Sequence, residues 1–278
     1  MKADFDLIVH KFDNPITIYP IADVHFGAIN HQEAAWKAFV DKISAEENSY
    51  LILNGDLINN NTRSSVGSPF DDVIRPRDQK KMMMDYLAPL KDKILCITSG
   101  NHEQRSLKDA DNDPTYDIAC KLDIEDLYRP NIVFMKVCIG SRNRGNGYLC
   151  AKQSYTFAVT HGSGGGIYTG ATVNRNERWG NIIDNVDCVV VSHTHKGTVT
   201  RPSKIVIDTT NNLVALRDYL VLSSVAWSTY SDYAMKKMLL PIPKTKAKVG
   251  FSFRMPLVNV FIPLLILLPP FLLLVLLH

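Results

Sequence analysis

Short apolar runs alternate along this chain with segments that carry helical signals. Five of the runs are rich in β-branched and aromatic residues and end at glycine or polar residues, which is the pattern of buried strands. They are Ile16–Ala22, Tyr50–Leu53, Ile94–Thr98, Tyr155–Thr160 and Cys188–Val191. Three further strands are predicted at Ile132–Cys138, Ile205–Ile207 and Tyr219–Leu222.

Helices are predicted between these strands. They cover His31–Glu47, Asp78–Lys93, Pro114–Leu122 and Asn174–Ile183. Asp113 precedes a proline and is predicted to cap the third helix, because proline is favoured in a first helical turn. Strand–helix–strand units followed by hairpin-like strands predict an α/β fold in which two mixed sheets pack as a β-sandwich flanked by helices.

Composition excludes several classes of protein. The chain has 278 residues, of which 46% are hydrophobic and 21% charged, so it can bury a sizeable core. A net charge of +3 does not by itself indicate a nucleic-acid partner. The five cysteines are scattered without a CxxC pair, which argues against a zinc ribbon or a disulfide framework. These features predict a cytoplasmic protein, and the N-terminus does not have the pattern of a secretory signal.

Each of the five strands runs directly into residues that bind metals. These residues are Asp23, His25, Asp56, Asn101, His102, His161, His193 and His195. Ligands gather in the crevice outside the carboxyl ends of strands in open α/β sheets, so all five strand ends are expected to meet at one polynuclear metal site. Each pair of residues is weak evidence alone, and the inference depends on the whole ordered set. This set predicts a metal-dependent hydrolase.

Asp56 is the predicted link between two metals. It follows Gly55, which permits a tight turn and a close approach of the backbone. A carboxylate has two oxygens and can bridge two cations about 3.5–4 Å apart.

The same motifs resemble those of the calcineurin-like metallophosphoesterase superfamily, over roughly Ile16 to Ala234. The motifs are Asp23-x-His25, Gly55-Asp56, Gly100-Asn101-His102-Glu103, His161-Gly162 and His193-Thr194-His195. The glycine-rich stretch His161–Arg175 looks like that of bacterial and bacteriophage members. Ser192 departs from the glycine usual before His-x-His. Asn59 stands where protein phosphatases carry an aspartate, which argues against the protein serine/threonine phosphatase branch.

The resemblance implies two divalent metal ions and assigns their ligands. One ion would be held by Asp23, His25, Asp56 and His195, and the other by Asp56, Asn101, His161 and His193. Mn²⁺ is the leading choice, with Fe, Zn²⁺ or Ni²⁺ as alternatives, because ligand softness does not separate them. The resemblance also assigns His102 to protonating the leaving oxygen or stabilising the transition state, a role that suits an imidazole with a pKa near 6.5.

Four other residues are candidates for contacting the substrate. Arg105 could hold a phosphate oxygen bidentately, and a surface salt bridge is the equal alternative. Tyr168, Asn174 and Arg175 are the polar candidates beside the glycine-rich rim. Glu103 is expected to orient a ligating histidine.

The leading functional hypothesis is a dinuclear phosphoesterase that hydrolyses phosphate esters by attack of a metal-activated water. A phosphodiesterase or nuclease-like enzyme is favoured, acting on a phosphorylated small molecule or a nucleic acid. A small-metabolite phosphomonoesterase and a non-catalytic scaffold with the same fold are the alternatives. The oligomeric state has no signal in the sequence.

The C-terminal part of the chain differs from the rest. We predict a catalytic domain over residues 1–243 and a basic linker with an apolar tail over 244–278. Residues 256–277 are almost entirely apolar and have the length of a membrane span, about 20 residues, although their prolines would kink a helix. A membrane tether, a non-native end from a shifted reading frame, and a buried or partner-binding extension remain open.

Overall fold

Two mixed β-sheets form the centre of the chain in a computed structural model. The structure describes residues 5–68, 70, 72–143, 149–230, 232–236, 238–240, 251–255 and 258–262. The strands are β1 (Leu7–Phe12), β2 (Ile16–Ile21), β3 (Ser49–Asn54), β4 (Ile94–Thr98), β5 (Tyr128–Arg129), β6 (Ile132–Asn143), β7 (Leu149–Thr160), β8 (Cys188–Val191), β9 (Thr198–Thr200), β10 (Ser203–Asp208), β11 (Leu213–Asp218), β12 (Leu220–Ser223), β13 (Phe251–Met255) and β14 (Val258–Ile262).

The helices lie between the strands in sequence. They are α1 (Glu33–Ala45), α2 (Pro76–Leu87), α3 (Glu103–Ala110), α4 (Pro114–Lys121), α5 (Thr169–Ile182) and α6 (Asp232–Lys236). A 3₁₀ helix over Ala88–Lys93 continues α2. The predicted cap of α4 is confirmed, because the Asp113 carboxylate accepts hydrogen bonds from the backbone N–H groups of Thr115 (3.0 Å) and Tyr116 (3.1 Å).

Each large sheet has six strands. The first has the order β1-β6-β7-β8-β12-β9 and the second the order β13-β14-β2-β3-β4-β5. Strands β2, β3 and β4 are parallel neighbours, as are β7 and β8, so their carboxyl ends lie side by side in each sheet. Parallel strands are covered on both faces, and β4 is buried along its whole length, which explains its uninterrupted apolar sequence.

Apolar side chains fill the space between the sheets and the space between each sheet and its helices. Ile18, Ile52 and Cys96 of the second sheet pack in one core with Val133 and Val190 of the first. The outer face of the second sheet is covered by α1, α2 and α4, and that of the first sheet by α5. The predicted α/β architecture of two packed mixed sheets flanked by helices is therefore confirmed.

Several elements lie outside the sequence-based prediction. The structure adds β1, β5, β9, β11, β13, β14, α3 and α6 to the predicted elements, and α5 begins five residues before the predicted start at Asn174. The first turns of α5 contain glycine and threonine, which have low helix propensity and hide the helical signal. Tertiary packing of α5 on the first sheet overrides that local preference.

Part of the predicted C-terminal tail is strand. β14 pairs in parallel with β2, with Val258 opposite Ile16, and β13 pairs with β14 at the sheet edge. Residues 263–278, where most of the apolar run falls, lie outside the described residues. Within the described ranges, no helix has the length and apolar character needed to cross a bilayer. The domain boundary at residue 243 stays a prediction.

Candidate metal centre

The seven predicted metal ligands converge at the carboxyl ends of five strands. Asp23 and His25 follow β2, Asp56 follows β3, and Asn101 follows β4. His161 follows β7 directly, and His193 and His195 follow β8. Ligand atoms lie within 4.8 Å of one another in three combinations, which are Asp23 with His25 and His195, His25 with Asp56 and His102, and Asp56 with His161 and His193. Around Asp56, the side chains can be described as two groups.

The first group contains Asp23, His25 and His195. Nε2 of His195 lies 3.3 Å from Asp23 Oδ1 and 3.1 Å from Nε2 of His25, and His25 Nε2 lies 3.9 Å from Asp23 Oδ1. Two imidazole nitrogens this close repel each other unless a proton or a cation lies between them. Ligands that share one cation at about 2.1 Å lie roughly 3–4 Å apart, so these three side chains have the spacing of a metal site.

The second group contains Asn101, His161 and His193. The Asn101 Oδ1 atom lies 2.6 Å from Nδ1 of His193 and 3.1 Å from Nε2 of His161. Nδ1 of His161 lies 2.7 Å from the Asn54 carbonyl, so it carries the proton and leaves Nε2 facing the site. This hydrogen bond fixes the tautomer that a metal-ligating histidine needs.

Asp56 lies between the two groups. Its Oδ2 is 3.2 Å from His161 Nε2 and 4.0 Å from His25 Nε2. Its Oδ1 accepts a hydrogen bond of 2.8 Å from the backbone N–H of His102. One carboxylate oxygen therefore faces ligand atoms of both groups.

Five of these residues have a left-handed backbone conformation. The φ angle is positive at Asp23 (52°), His25 (47°), Asp56 (51°), His193 (70°) and His195 (58°). Non-glycine residues adopt this conformation rarely and at a cost that the surrounding structure must offset, and such residues cluster at functional sites. The strain aims side chains that are two positions apart into one crevice.

Gly100 allows the strand ends to approach each other. A Cβ atom at this position would lie 2.1 Å from Asp56 Oδ1 and 2.2 Å from the Asp56 backbone nitrogen. Gly55 has a positive φ of 76°, and a Cβ there would lie 2.6 Å from the Cα of Gly100. Both glycines are therefore required for Asp56 to occupy its position.

Glu103 holds the backbone around Asp56. Among the described residues, it makes no hydrogen bond with a histidine ring. It is fully buried, and its carboxylate accepts from the N–H groups of Asp56 (2.9 Å), Ile58 (3.1 Å) and Gly100 (2.9 Å). Burial and the neighbouring Asp56 charge raise the pKa of Glu103 to about 7. Glu103 was expected to orient a ligating histidine. It instead stabilises the backbone of the two loops that carry Asp56 and Asn101.

Two buried carboxylates give the metal centre a negative charge. Asp23 and Asp56 are 0% and 1% exposed. Burial alone would lower the pKa of His161, but the charges of Asp56 and Asp23 raise it to about 10. Burial would likewise lower the pKa of His195, and the Asp23 charge raises it above its ordinary value. The two carboxylates therefore attract cations, either as protons on these rings or as metal ions.

The donor set fits divalent metal ions. Asp23 Oδ1 and His25 Nδ1 are buried and make no well-aligned hydrogen bond with any described residue. Buried polar atoms without a partner are costly, and a cation satisfies a carboxylate oxygen aimed into the site. Carboxylate, amide and imidazole groups together suit Mn²⁺, Fe or Zn²⁺.

His102 lies at the edge of the two groups. Its Nδ1 is 2.7 Å from the Asn59 carbonyl, which accepts, so Nδ1 carries a proton and Nε2 is the atom that titrates. Nε2 lies 3.8 Å from Asp56 Oδ2, and the ring packs edge-on against His25 at a centroid distance of 4.4 Å. Burial lowers the pKa of His102, while the Asp56 charge opposes that shift.

A polar network, absent from the sequence-based prediction, positions the carbonyl that holds His102. The Asp72 carboxylate accepts hydrogen bonds from the side chains of Asn59 (2.6 Å), Asn61 (2.8 Å) and Gln79 (2.8 Å). Asn59 and Asn61 are buried despite their polarity. Asp72 is 13 residues from Asn59 in sequence, and nothing in the local pattern indicates this contact.

Ser192, the departure from glycine noted in the sequence, is part of a second network. Its Oγ accepts from Asn54 Nδ2 (2.7 Å) and lies 3.1 Å from Ser224 Oγ. Thr98 donates to the Asn54 side chain at 2.9 Å. The serine hydroxyl therefore ties β3, β8 and the residue after β12 together beneath the ligands.

The four predicted substrate-contacting residues differ in their surroundings. Arg105 donates to Asn61 Oδ1 (3.0 Å) and to the Asn59 carbonyl (3.4 Å). Tyr168 and Asn174 are exposed, and Arg175 donates to the Ser163 carbonyl at 2.7 Å. Their roles stay predictions.

The sequence pattern did not indicate a structural role for Lys196. It follows His195 directly and donates hydrogen bonds to the carbonyls of Gly166 and Ile167. With Arg175, it holds the glycine-rich loop after His161 from two sides. A lone lysine after a histidine motif has no local feature that indicates such a contact.

Comparison with known proteins assigns this chain to a family. No curated protein matches the sequence. Among solved structures, the chain is similar to a conserved uncharacterized protein from Streptococcus pneumoniae, described as a predicted phosphoesterase. The identity is 12%, the match covers 84% of this chain and 79% of that chain, and the TM-score is 0.31. Residues 16–197, which include every predicted metal ligand, match the calcineurin-like phosphoesterase family. The chain therefore belongs to the calcineurin-like phosphoesterase family.

Proposed function

We propose that the chain is a dinuclear-metal-dependent phosphoesterase that hydrolyses phosphate esters. The observation that carries this proposal is the position of Asp56, whose Oδ2 faces His161 at 3.2 Å and His25 at 4.0 Å. A carboxylate between two sets of imidazole ligands is suited to bridging two cations. The family match supports the phosphoesterase class.

The two ions would be held by ligand sets that share Asp56. Asp23, His25, Asp56 and His195 form one set, and Asp56, Asn101, His161 and His193 form the other. When bound, two divalent cations neutralise phosphate charge and lower the pKa of a bound water. Mn²⁺ is proposed as the first ion to test.

His102 is proposed as the proton donor to the leaving oxygen. Its Nδ1 is occupied by the Asn59 carbonyl, so Nε2 is the atom able to give a proton. Nε2 lies beside Asp56 at 3.8 Å and therefore at the boundary of the proposed metal centre. Burial lowers the pKa of His102, the Asp56 charge opposes that shift, and the nearby Arg105 charge lowers the pKa further.

Replacement of Asp72 tests how His102 is positioned. We expect Asp72→Asn to lower turnover by about tenfold to a hundredfold, because misplacing a reacting group by about 1 Å costs about this much. Both carboxylate oxygens accept hydrogen bonds, so the amide of asparagine must present its NH₂ to a donor. Steady-state kinetics with a poor and a good leaving group measure the effect.

The loss should be larger for the poor leaving group, and metal content should stay unchanged. Asp109→Asn is the matched control, since Asp109 is exposed and its carboxylate bonds Ser64 and Thr62, not the side chain of Asn59. An equal loss for both leaving groups would mean that Asp72 supports the fold and does not position His102.

A phosphodiester is the proposed substrate class, with a phosphomonoester as the alternative. The direct test is hydrolysis of an aryl phosphodiester and of the matching monoester, each with and without added Mn²⁺. Faster Mn²⁺-dependent hydrolysis of the diester supports the phosphodiesterase proposal. A preference for the monoester would assign the chain to phosphomonoester hydrolysis, and activity on neither would favour the non-catalytic scaffold.

A further inference from the structure

An exposed apolar surface lies on the hairpin formed by β10 and β11. These strands pair only with each other among the described strands and form a separate two-stranded sheet. Ile205 lies opposite Leu216, and Ile207 lies opposite Val214. Side chains two positions apart share one face of a strand, so the four aliphatic residues form one patch, called here the hairpin face.

The hairpin face is open to solvent. Ile205, Ile207, Val214 and Leu216 are 73%, 71%, 71% and 75% exposed. Isolated apolar residues on a surface are common, but a contiguous patch marks an interaction site. An isolated two-stranded hairpin is also marginally stable in water, so covering this face would stabilise it.

The opposite face of the hairpin is anchored to the rest of the chain. Lys204 and Arg217 are directly opposite each other and lie on that face. Lys204 donates to the Ile183 carbonyl at 3.2 Å, and Arg217 donates to Asp187 at 3.2 Å. Both contacts reach the segment that joins α5 to β8. The hairpin face therefore points away from these two contacts, while Val206 and Leu213 on the anchored face are 38% and 61% exposed.

The charge on the outward face is already paired. Asp218 shares that face at the open end of the hairpin. Its carboxylate accepts a hydrogen bond from Ser203 and lies 3.0 Å from Arg201 Nη2. A partner that covers the aliphatic residues therefore does not need to supply a charge.

We propose that the hairpin face is a homodimer interface, in which two copies of the chain pack their hairpins face to face. A twofold interface places the same patch on both subunits, and an aliphatic patch with no unpaired charge is complementary to itself. Burying four such side chains on each of two copies removes roughly 500–1,000 Å² from water. A specific interface buries at least about 1,000 Å², which is the upper end of this range.

Sedimentation equilibrium of the full chain across the micromolar range tests this interface. We expect a dimer of twice 31.2 kDa, and we expect Ile205→Thr combined with Leu216→Thr to be monomeric. Threonine keeps the β propensity of the strands while removing apolar contact area. The matched control is Val66→Thr with Ile182→Thr, which removes two other exposed aliphatic residues and should leave the dimer intact.

Hydrogen–deuterium exchange of the unmodified chain locates the contact even if the hairpin variant fails to fold. We expect amides of β10 and β11 to exchange more slowly as protein concentration rises. A monomeric chain, or a dimer that survives the hairpin substitutions, would overturn the proposal. Slow exchange at a concentration where the chain sediments as a monomer would also overturn it, because residues of the same chain would then cover the hairpin face.

Discussion

Asp56→Asn is expected to abolish metal-dependent hydrolysis and to lower metal content. The substitution removes the charge that faces both ligand groups, at 3.2 Å from His161 and 4.0 Å from His25. Charge stabilisation by metal ions contributes several kcal/mol to such reactions, so we expect a loss of about a thousandfold or more. Elemental analysis and turnover of the same purified sample measure both effects.

Asp113→Asn is the matched control for this change. Asp113 is likewise a carboxylate that accepts backbone hydrogen bonds, but it caps α4, and asparagine caps helices equally well and can still accept from the Tyr128 hydroxyl. This variant should keep full activity and its metals. An Asp56→Asn protein with both metals bound and normal turnover would contradict a shared bridging carboxylate.

His102→Ala is expected to lower turnover by about 10²–10⁴-fold, the usual contribution of general acid catalysis. Metal content should be nearly unchanged, because His102 lies outside the two proposed ligand sets. The loss should shrink for esters with good leaving groups, which need little protonation. Turnover of a series of aryl esters, with metal analysis of each sample, checks this expectation.

His10→Ala is a suitable control for the removal of an imidazole. His10 also contacts a main-chain carbonyl, that of Leu95 at 2.8 Å, but lies on β1 and outside the metal centre. It should leave the dependence on leaving group unaltered. If His102→Ala loses a metal ion, His102 is a ligand and the assignment of a proton donor is wrong.

The sequence predicted the parts of the fold that have a local cause. Buried parallel strands need continuous apolar residues, so β2, β3, β4 and β8 were recognisable. The same strands end in ligand residues, and the parallel topology brings those ends together. Strand pairing therefore brings Asp23 beside Asp56 and His161 beside His195, and packing of the two sheets brings the two pairs together.

Features that depend on contacts between distant residues could not be predicted. Helix α3 contains one large aliphatic residue, Leu107, so it lacks the apolar periodicity that predicts a helix. Asp72 and Lys196 act through partners 13 and 30 residues away. The backbone role of Glu103 also depends on three N–H groups that come together only in the folded chain.

The exposed hairpin was predicted only in part. Ile205–Ile207 was recognised as a strand, but alternating aliphatic residues in a strand normally indicate a face turned toward the core. Here the register places Ile205 and Leu216 on the outward face because Lys204 and Arg217 hold the other face against the body. The contacts of Lys204 and Arg217 therefore determine which face of the hairpin is turned toward the body.

Reconstitution of metal-free protein with Mn²⁺ tests the central claim most directly. The chain is stripped with a chelator, Mn²⁺ is added in steps, and bound metal, hydrolysis and the electron paramagnetic resonance spectrum are recorded together. The dinuclear proposal predicts no hydrolysis in the stripped chain, full activity at two Mn²⁺ per chain, and a spin-coupled spectrum from ions about 3.5–4 Å apart. Hydrolysis by the stripped chain, or full activity with one Mn²⁺ and the spectrum of an isolated ion, would contradict it.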